Sequence, residues 1–282
     1  MGAPSMPGFA QRQYLLKHLF RYHHPISPNC FLEFNPFTHY KRQRSINRLE
    51  TMITKCTSLQ CGATLKFPDS LTGARVRCPQ CGAVFAVHSS PSFVIFDLET
   101  TGLSPAGCEI IQIAATRFRN GDVVSDDSFF SFCRPDQAIP PFIQHYTGIS
   151  NRDVRDAPRP IEVLDKFSRF VGDSVIMAHN GHRFDIKFLE STCARHRVKT
   201  RSVESIDTIS FSKKLFGTVR GTGHGLDRVL ERLRLNASQY RRHDARGDIQ
   251  ALADAVKIMW SRLGLDPQCS GIARRETSLP AV

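Results

Sequence analysis

The sequence predicts an α/β chain, a mixed sheet flanked by helices, preceded by a small metal-dependent module. Three observations point to it. Strand-like segments at 93–98, 109–118 and 123–133 follow one another with only turns between them, as hairpin-linked strands do. Strand and helix signals then alternate, which implies a sheet covered by helices. Ahead of all this, four of the nine cysteines crowd into positions 56–81.

The remaining elements follow in order. A short helical piece lies near 140–146 and a helix at about 160–171. A strand at 174–178, a helix at 185–196 and a strand at 203–207 come next. Helices at 224–234 and about 245–263 close the domain, so that it spans 93–264. The polar stretch 265–282, with Pro, Gly and Ser, reads as a flexible tail. Residues 89–92, "SSPS", read as a linker, and 52–88 as a separate small module. Residues 1–51 are acid-poor, rich in Arg, His, Phe and Pro, and carry no sustained period. They are expected to be a disordered extension, or a mis-assigned start with initiation at Met52; a targeting segment is the other reading, although Ser is sparse.

The 282 residues, 41% of them hydrophobic, suffice for a real core. No apolar run nears the roughly 18 residues of a membrane span, so no membrane partner is expected. The other five cysteines (Cys30, Cys108, Cys133, Cys193, Cys269) have no disulfide-like rhythm, and no secretory leader is visible, which fits a reducing, cytoplasmic compartment. The net charge is +12, with eight Lys/Arg against two acids in residues 1–55, so half of the excess precedes the cysteine module and the α/β domain. A basic chain suits a polyanionic partner, and solubility alone also permits it.

In "CTSLQCGATLKFPDSLTGARVRCPQCGAVFAV" the spacing is Cys56-x4-Cys61, sixteen residues, then Cys78-x2-Cys81. Zinc takes four tetrahedral ligands, and two tight turns supply four thiolates. Gly62 and Gly82 each follow the second cysteine of a pair, where a residue without Cβ lets backbone amides turn toward sulfur. A segment this short buries too little to fold alone, so one structural Zn²⁺ would supply most of its stability. It resembles the zinc-ribbon family over about 30 residues, with a four-residue gap in the first half where two is usual. The residues do not say whether such a module grips nucleic acid, grips a protein or caps its neighbour.

"FVIFDLETTG", residues 93–102, poses the functional question: two carboxylates end an apolar strand. Side chains alternate along a strand, so Val94, Phe96 and Leu98 share one face, and Ile95, Asp97 and Glu99 the other. Neighbouring carboxylates repel unless a cation joins them, and hard oxygen ligands suit Mg²⁺ or Mn²⁺. Asp185 opens a helix in "VIMAHNGHRFDIKFLE", and Asp248 lies in the first turn of the helix in "HDARGDIQALADAVKIMW". Taken singly, each acid could be a helix cap, and His243 an ordinary surface histidine.

Together, "FDLETTGL", "AHNGHRFDIKFL", "SIDTI" and "HDARGD" resemble the motifs of the DEDDh 3′→5′ exonucleases, a group that includes the epsilon proofreading subunit and the three-prime repair exonucleases. The resemblance covers about 93–263 and implies an RNase H-like sheet of five strands, the first three antiparallel. It implies that Asp97, Glu99, Asp185 and Asp248 hold two Mg²⁺ (or Mn²⁺) ions, with His243 as general base. It assigns Thr100, Thr101, Gly102 and Leu103 to the terminal nucleotide, and Asn180 to the neighbourhood of the substrate. Arg183 could contact backbone phosphate. Asp207 matches a structural Asp-Thr. Thr147 stands where many epsilon-type members have His, and Asp244 is an extra acid beside His243. Basic residues at Arg195, Arg197, Lys199, Arg201, Lys213, Lys214 and Arg220 could track a strand.

The activity so implied is hydrolysis of DNA from single-stranded 3′ ends to 5′-mononucleotides, in proofreading or repair, with a DNA polymerase as possible partner. RNA remains the alternative substrate, since nothing in the motifs reads the 2′-hydroxyl. A zinc-anchored adaptor that binds nucleic acid or a polymerase without cutting is the alternative of another class.

Overall fold

The computed structural model describes residues 51–282 except 57, 59, 72–73, 88–90, 219–222 and 241–242. The expectation for 1–51 therefore lies, but for Thr51, outside the described residues, as does Arg220.

The cysteine module is two β-hairpins. β1 (Thr51–Lys55) pairs antiparallel with β2 (Thr64–Pro68), and β3 (Arg75–Arg77) with β4 (Val84–Ala86). Cys56, Cys78 and Phe85 are buried at its centre, with Leu65, Phe67 and Val76 packed around them.

The α/β domain is built on one six-stranded sheet. Its strands are β5 (Phe93–Thr100), β6 (Ile110–Arg119), β7 (Asp122–Phe132), β8 (Val175–Ala178), β9 (Thr200–Asp207) and β10 (Arg275–Pro280). The spatial order is β10-β9-β8-β5-β6-β7. The β5–β6–β7 meander is antiparallel, β8 and β9 run parallel to β5, and β10 returns antiparallel on β9. The helices are α1 (Pro141–Thr147), α2 (Asn151–Val154), α3 (Pro160–Val171), α4 (Asp185–His196), α5 (Ile209–Phe216), α6 (Leu226–Leu233) and α7 (Ala245–Leu263).

Strand alternation divides the core in two. Phe93 and Ile95 meet Phe211 of α5, Val229 and Leu230 of α6, and Leu252, Val256, Met259 and Trp260 of α7. Val94, Phe96 and Leu98 meet Val163, Leu164 and Phe167 of α3 and Ile186, Phe188 and Leu189 of α4. The alternation expected of β5 is thus realised, and its two acids share the α7 side.

Two expectations need correction. The sheet has six strands, not five, and the supposed flexible tail supplies the sixth. Within β10, Thr277 and Leu279 turn inward and are buried, and Leu279 joins the α3–α4 core. Ser168 Oγ donates to the Pro280 carbonyl at 2.7 Å. Pro280 has no N–H to donate, a lack tolerated on an edge strand. With a single large apolar side chain, the segment shows no strand pattern until its neighbours are known. Helix α5, also unforeseen, occupies the eight residues between Thr208 and Gly217.

Candidate active site

The two acids of β5 stand where pairing with β6 shifts register, between Glu99 and Thr100. Ala114 lies opposite Asp97, and Gln112 opposite Glu99. Ala114 packs with Ala245 and Ile249, so small side chains let the first turn of α7 rest on the sheet. That approach delivers Asp248. Ligand oxygens of Asp97, Glu99 and Asp248 all lie within 4.8 Å of one another. Three carboxylates so close repel strongly, and oxygen donors alone favour hard cations. The residues fit a divalent metal site.

The turn before α7 is fixed at several points. His243 takes a left-handed backbone (φ 65°), unusual for a residue with a side chain, and its N–H donates to Asp248 Oδ2 at 3.3 Å. Its ring lies against Tyr146 of α1, centroids 4.3 Å apart. Asp244, beside this histidine, is not solvated. It is buried as the N-cap of α7, accepting from the Arg246 backbone N–H at 3.0 Å and from that residue's guanidinium at 3.0 and 2.8 Å. Gln112 Oε1 accepts the Ala245 N–H at 2.8 Å. Gln112 and Tyr146 were not foreseen. A polar residue inside the apolar run "IIQIAA" was the available signal for Gln112; Tyr146 had none.

Asp185 reaches the end of β5 from the other layer. It opens α4, which packs on the opposite face of the sheet from α7, and it is buried. Burial pushes its carboxyl up to about 7, against its own backbone N–H and that of Leu98, which favour the charged form; the charge of Asp207 adds to the rise. The structure therefore gathers three of the four expected acids and sets Asp185 against the backbone between Asp97 and Glu99.

The loop after β5 is tied by side chains. Thr100 Oγ1 donates to the Gly102 carbonyl at 2.6 Å, and Thr101 Oγ1 accepts the Glu109 N–H at 2.9 Å, so both hydroxyls shape the loop. A Cβ on Gly102 would lie 2.7 Å from Cys108 Sγ. Leu103, 59% exposed, is presented outward. From α4, Ser191 and Arg195 donate to the Pro105 carbonyl, Arg195 also to that of Cys108, and Arg195 lies 3.7 Å from Glu109. Arg195 thus clamps this loop through two backbone carbonyls. Arg201 is engaged likewise, holding the carbonyl and hydroxyl of Ser168. Arg197 closes α4 in a left-handed conformation. Lys199 and Lys213 are exposed, and Lys214 reaches toward the Gly271 carbonyl at 3.5 Å.

Asn180 and Arg183 occupy the turn between β8 and α4. Asn180 has φ 61°, its N–H bonded to Asp207 Oδ1 at 3.0 Å, while Arg183 is exposed. Asp207, which also accepts the Ile209 N–H at 3.0 Å, has the structural part expected of it.

In the cysteine module, Cys56 Sγ and Cys81 Sγ lie 3.5 Å apart and Cys61 Sγ and Cys78 Sγ 3.9 Å, with all four inside 4.8 Å. Four sulfurs at zinc's bond length stand about 3.8 Å apart around a tetrahedron. Gly62 (φ 56°) and Gly82 (φ 76°) make the two turns. Backbone donation near Ser58 favours the Cys56 thiolate, yet desolvation and the three neighbouring sulfurs push this thiol up to about 12. Against desolvation, backbone donors at Cys81 and Gln80 hold Cys78 down to about 7. A divalent ion resolves this competition for protons, and the donor set fits zinc.

Comparison with known proteins agrees with this geometry. The profile of the family RNase_T, described as Exonuclease, matches residues 94–256, more than half of the chain. The chain is 36% identical over 159 residues to a DNA polymerase III PolC-type protein of Latilactobacillus sakei, covering 56% of this chain and 11% of that one. It is 36% identical over 167 residues to a DNA polymerase III subunit epsilon-like protein of Rhodobacter capsulatus, covering 58% and 23%. The chain thus spans a minor part of the curated relatives it matches. The nuclease domain of 3′hExo, a DEDDh family member bound to rAMP, has a TM-score of 0.55 at 20% identity, covering 67% of this chain and 98% of that one. E. coli Exonuclease I in complex with a dT13 oligonucleotide gives 0.51 at 19%, covering 62% and 42%. At such identities the likeness is one of fold. With the family matched over most of the α/β domain and its acids gathered where β5 meets α7, the chain belongs to the RNase_T exonuclease family, with Asp97, Glu99 and Asp248 as its acidic triad.

Proposed function

We propose that the protein removes nucleotides from the 3′ end of single-stranded DNA, releasing 5′-mononucleotides, with two Mg²⁺ or Mn²⁺ ions held by Asp97, Glu99, Asp248 and Asp185. The observation that carries this reading is the convergence of Asp97, Glu99 and Asp248 within 4.8 Å, with His243 bonded through its N–H to the last of them. When bound, the ions supply charge neutralisation at the phosphate and a more acidic water. His243 would act as general base, taking a proton from the water whose oxygen attacks phosphorus. The bond from phosphorus to the 3′ oxygen of the next nucleotide breaks, and that oxygen ends protonated.

The exposure of Leu103 supports a part for it as a wedge against the terminal base. The exposure of Arg183 supports its assignment to backbone phosphate, with Asn180 assigned to the same neighbourhood. DNA is favoured because the relatives with the higher identity are named as DNA polymerase III proteins, and the same likeness suggests work alongside a polymerase. The four-cysteine module is assigned one structural Zn²⁺.

The test is incubation of the purified chain with 5′-labelled single-stranded DNA and RNA, with and without Mg²⁺. A ladder shortening from the 3′ end of DNA, dependent on Mg²⁺ and lost in Asp97→Ala and His243→Ala, is the expected result. Degradation of RNA alone would reassign the substrate, and activity retained by both variants would overturn the reading.

A further inference from the structure

We propose that the C-terminal strand β10 is a working part of the nuclease, tied to the nucleic-acid-binding turn between β8 and α4 by His182 acting as a positioning residue. The proposal rests on the reading above, in which Asn180, Arg183 and Asp185 of that segment serve the nuclease site.

The connection runs through one buried hydroxyl. Ser205 Oγ, on β9 and 1% exposed, lies 3.0 Å from each of three groups: the Arg275 carbonyl, Thr277 Oγ1 and His182 Nε2. A carbonyl only accepts, so the single hydroxyl proton of Ser205 goes to Arg275. The other two partners must then donate. Thr277 gives its hydroxyl proton, and His182 is fixed with its proton on Nε2. Every hydrogen-bonding position of Ser205 is filled, two by β10 and one by the turn.

The turn has no slack to absorb a displaced His182. Arg183 N–H donates to the Asn180 carbonyl at 3.0 Å, Phe184 N–H to the Asn180 and Gly181 carbonyls at 3.2 Å, and Ile186 N–H to the Gly181 carbonyl at 2.9 Å. Asn180 is left-handed, and a Cβ on Gly181 would lie 2.6 Å from the Cβ of Ala178. His182 is flanked by Gly181 and Arg183, so its anchor sets the direction of the arginine beside it. The segment that makes the anchor, 275–280, lies beyond the 94–256 matched to the family profile. The strand therefore lies outside the segment matched to the family profile, and through Ser205 it contacts the turn that the matched segment supplies.

The test uses the full chain, a single-stranded DNA oligonucleotide and saturating Mg²⁺. His182→Ala should raise KM about fivefold while kcat stays within about twofold, as expected for one lost positioning bond. Thr277→Val, which keeps the volume and deletes the donor, should move KM in the same direction. His182→Gln, whose side-chain amide restores a donor, should return KM to within about twofold of the unmodified protein. Thermal melting verifies that each variant is folded. An unmoved KM in either His182→Ala or Thr277→Val, or a defect that His182→Gln leaves in place, overturns the proposal. Failure of the nuclease reading looks different: the unmodified chain would then not degrade the oligonucleotide, or would do so equally without Asp97.

Discussion

Gln112 Oε1 accepts the backbone N–H of Ala245 at 2.8 Å, joining two residues 133 positions apart in the chain. The amide of Gln112 lies opposite Glu99 on the sheet, and Ala245 is the first residue of the helix that carries Asp248. One hydrogen bond thus links β6, the partner of the strand bearing two acids, to the helix bearing the third. Gln112→Met, similar in size but without the acceptor, leaves a buried N–H unpaired at a cost of about 1–3 kcal/mol. The expected result is a rise in the Mg²⁺ concentration giving half-maximal rate, together with a lower melting temperature. A Mg²⁺ titration superimposable on that of the unmodified chain would remove Gln112 from the positioning of the site.

The metal ligands and the base should separate experimentally. Asp97→Asn removes one of three crowded negative charges, so it should stabilise the metal-free protein while abolishing activity and weakening the thermal stabilisation given by Mn²⁺. His243→Ala should keep that stabilisation and lose about 10²–10⁴-fold in kcat, the usual contribution of a general base. Melting curves in EDTA and in Mn²⁺, beside a nuclease assay, check both.

Asp185 predicts an unusual pH dependence. Its carboxyl stands at about 7 in the folded protein because burial disfavours the charge, against about 3.9 in an unfolded chain. Between these values the folded state binds more protons than the unfolded one, so metal-free stability falls as pH rises from about 4 to about 7. A shift of this size corresponds to at most about 4 kcal/mol. In EDTA, the melting temperature should decline across this window, and Asp185→Asn should flatten the decline. A slope identical in the two proteins would disprove the assignment.

Zinc should be separable from the nuclease metals. Metal analysis of the purified chain should find one zinc per molecule, lost in Cys78→Ser. Structural zinc supplies most of the folding energy of such small modules, so the 52–88 region should become protease-sensitive in that variant while the α/β domain melts as before. Full zinc content in Cys78→Ser would contradict the four-thiolate site.

Arg195 predicts a loop effect at a distance. Arg195→Ala removes donors to the Pro105 and Cys108 carbonyls and should loosen the segment that presents Leu103. KM for a single-stranded oligonucleotide should rise by about 3–10-fold. Arg195→Lys, with a single ammonium that cannot reproduce the fork, should recover only part of the loss. If Arg195 instead contacted nucleic acid directly, the Ala variant would show a shallower salt dependence of binding, which the clamp does not predict.

Residue type and short-range periodicity carry the part of this architecture that can be read along the chain. Alternation along 93–100 put Asp97 and Glu99 on one face, the spacing of four cysteines marked a metal cluster, and the order of strands and helices implied an α/β sheet. These are legible because each depends on a few consecutive side chains. The rest emerges from the folded structure. It showed that "RETSLP" is a strand, that the threonines of "ETTG" fold their own loop, that Arg195 and Arg201 hold backbone carbonyls, and that Asp185 meets β5 from the layer opposite Asp248. Each outcome rests on partners far away in the chain, such as Ser168 with Pro280 or Arg195 with Pro105. A polar side chain carries no mark of which distant carbonyl it will satisfy; the folded sheet supplies that partner, and only there does burial make the pairing obligatory.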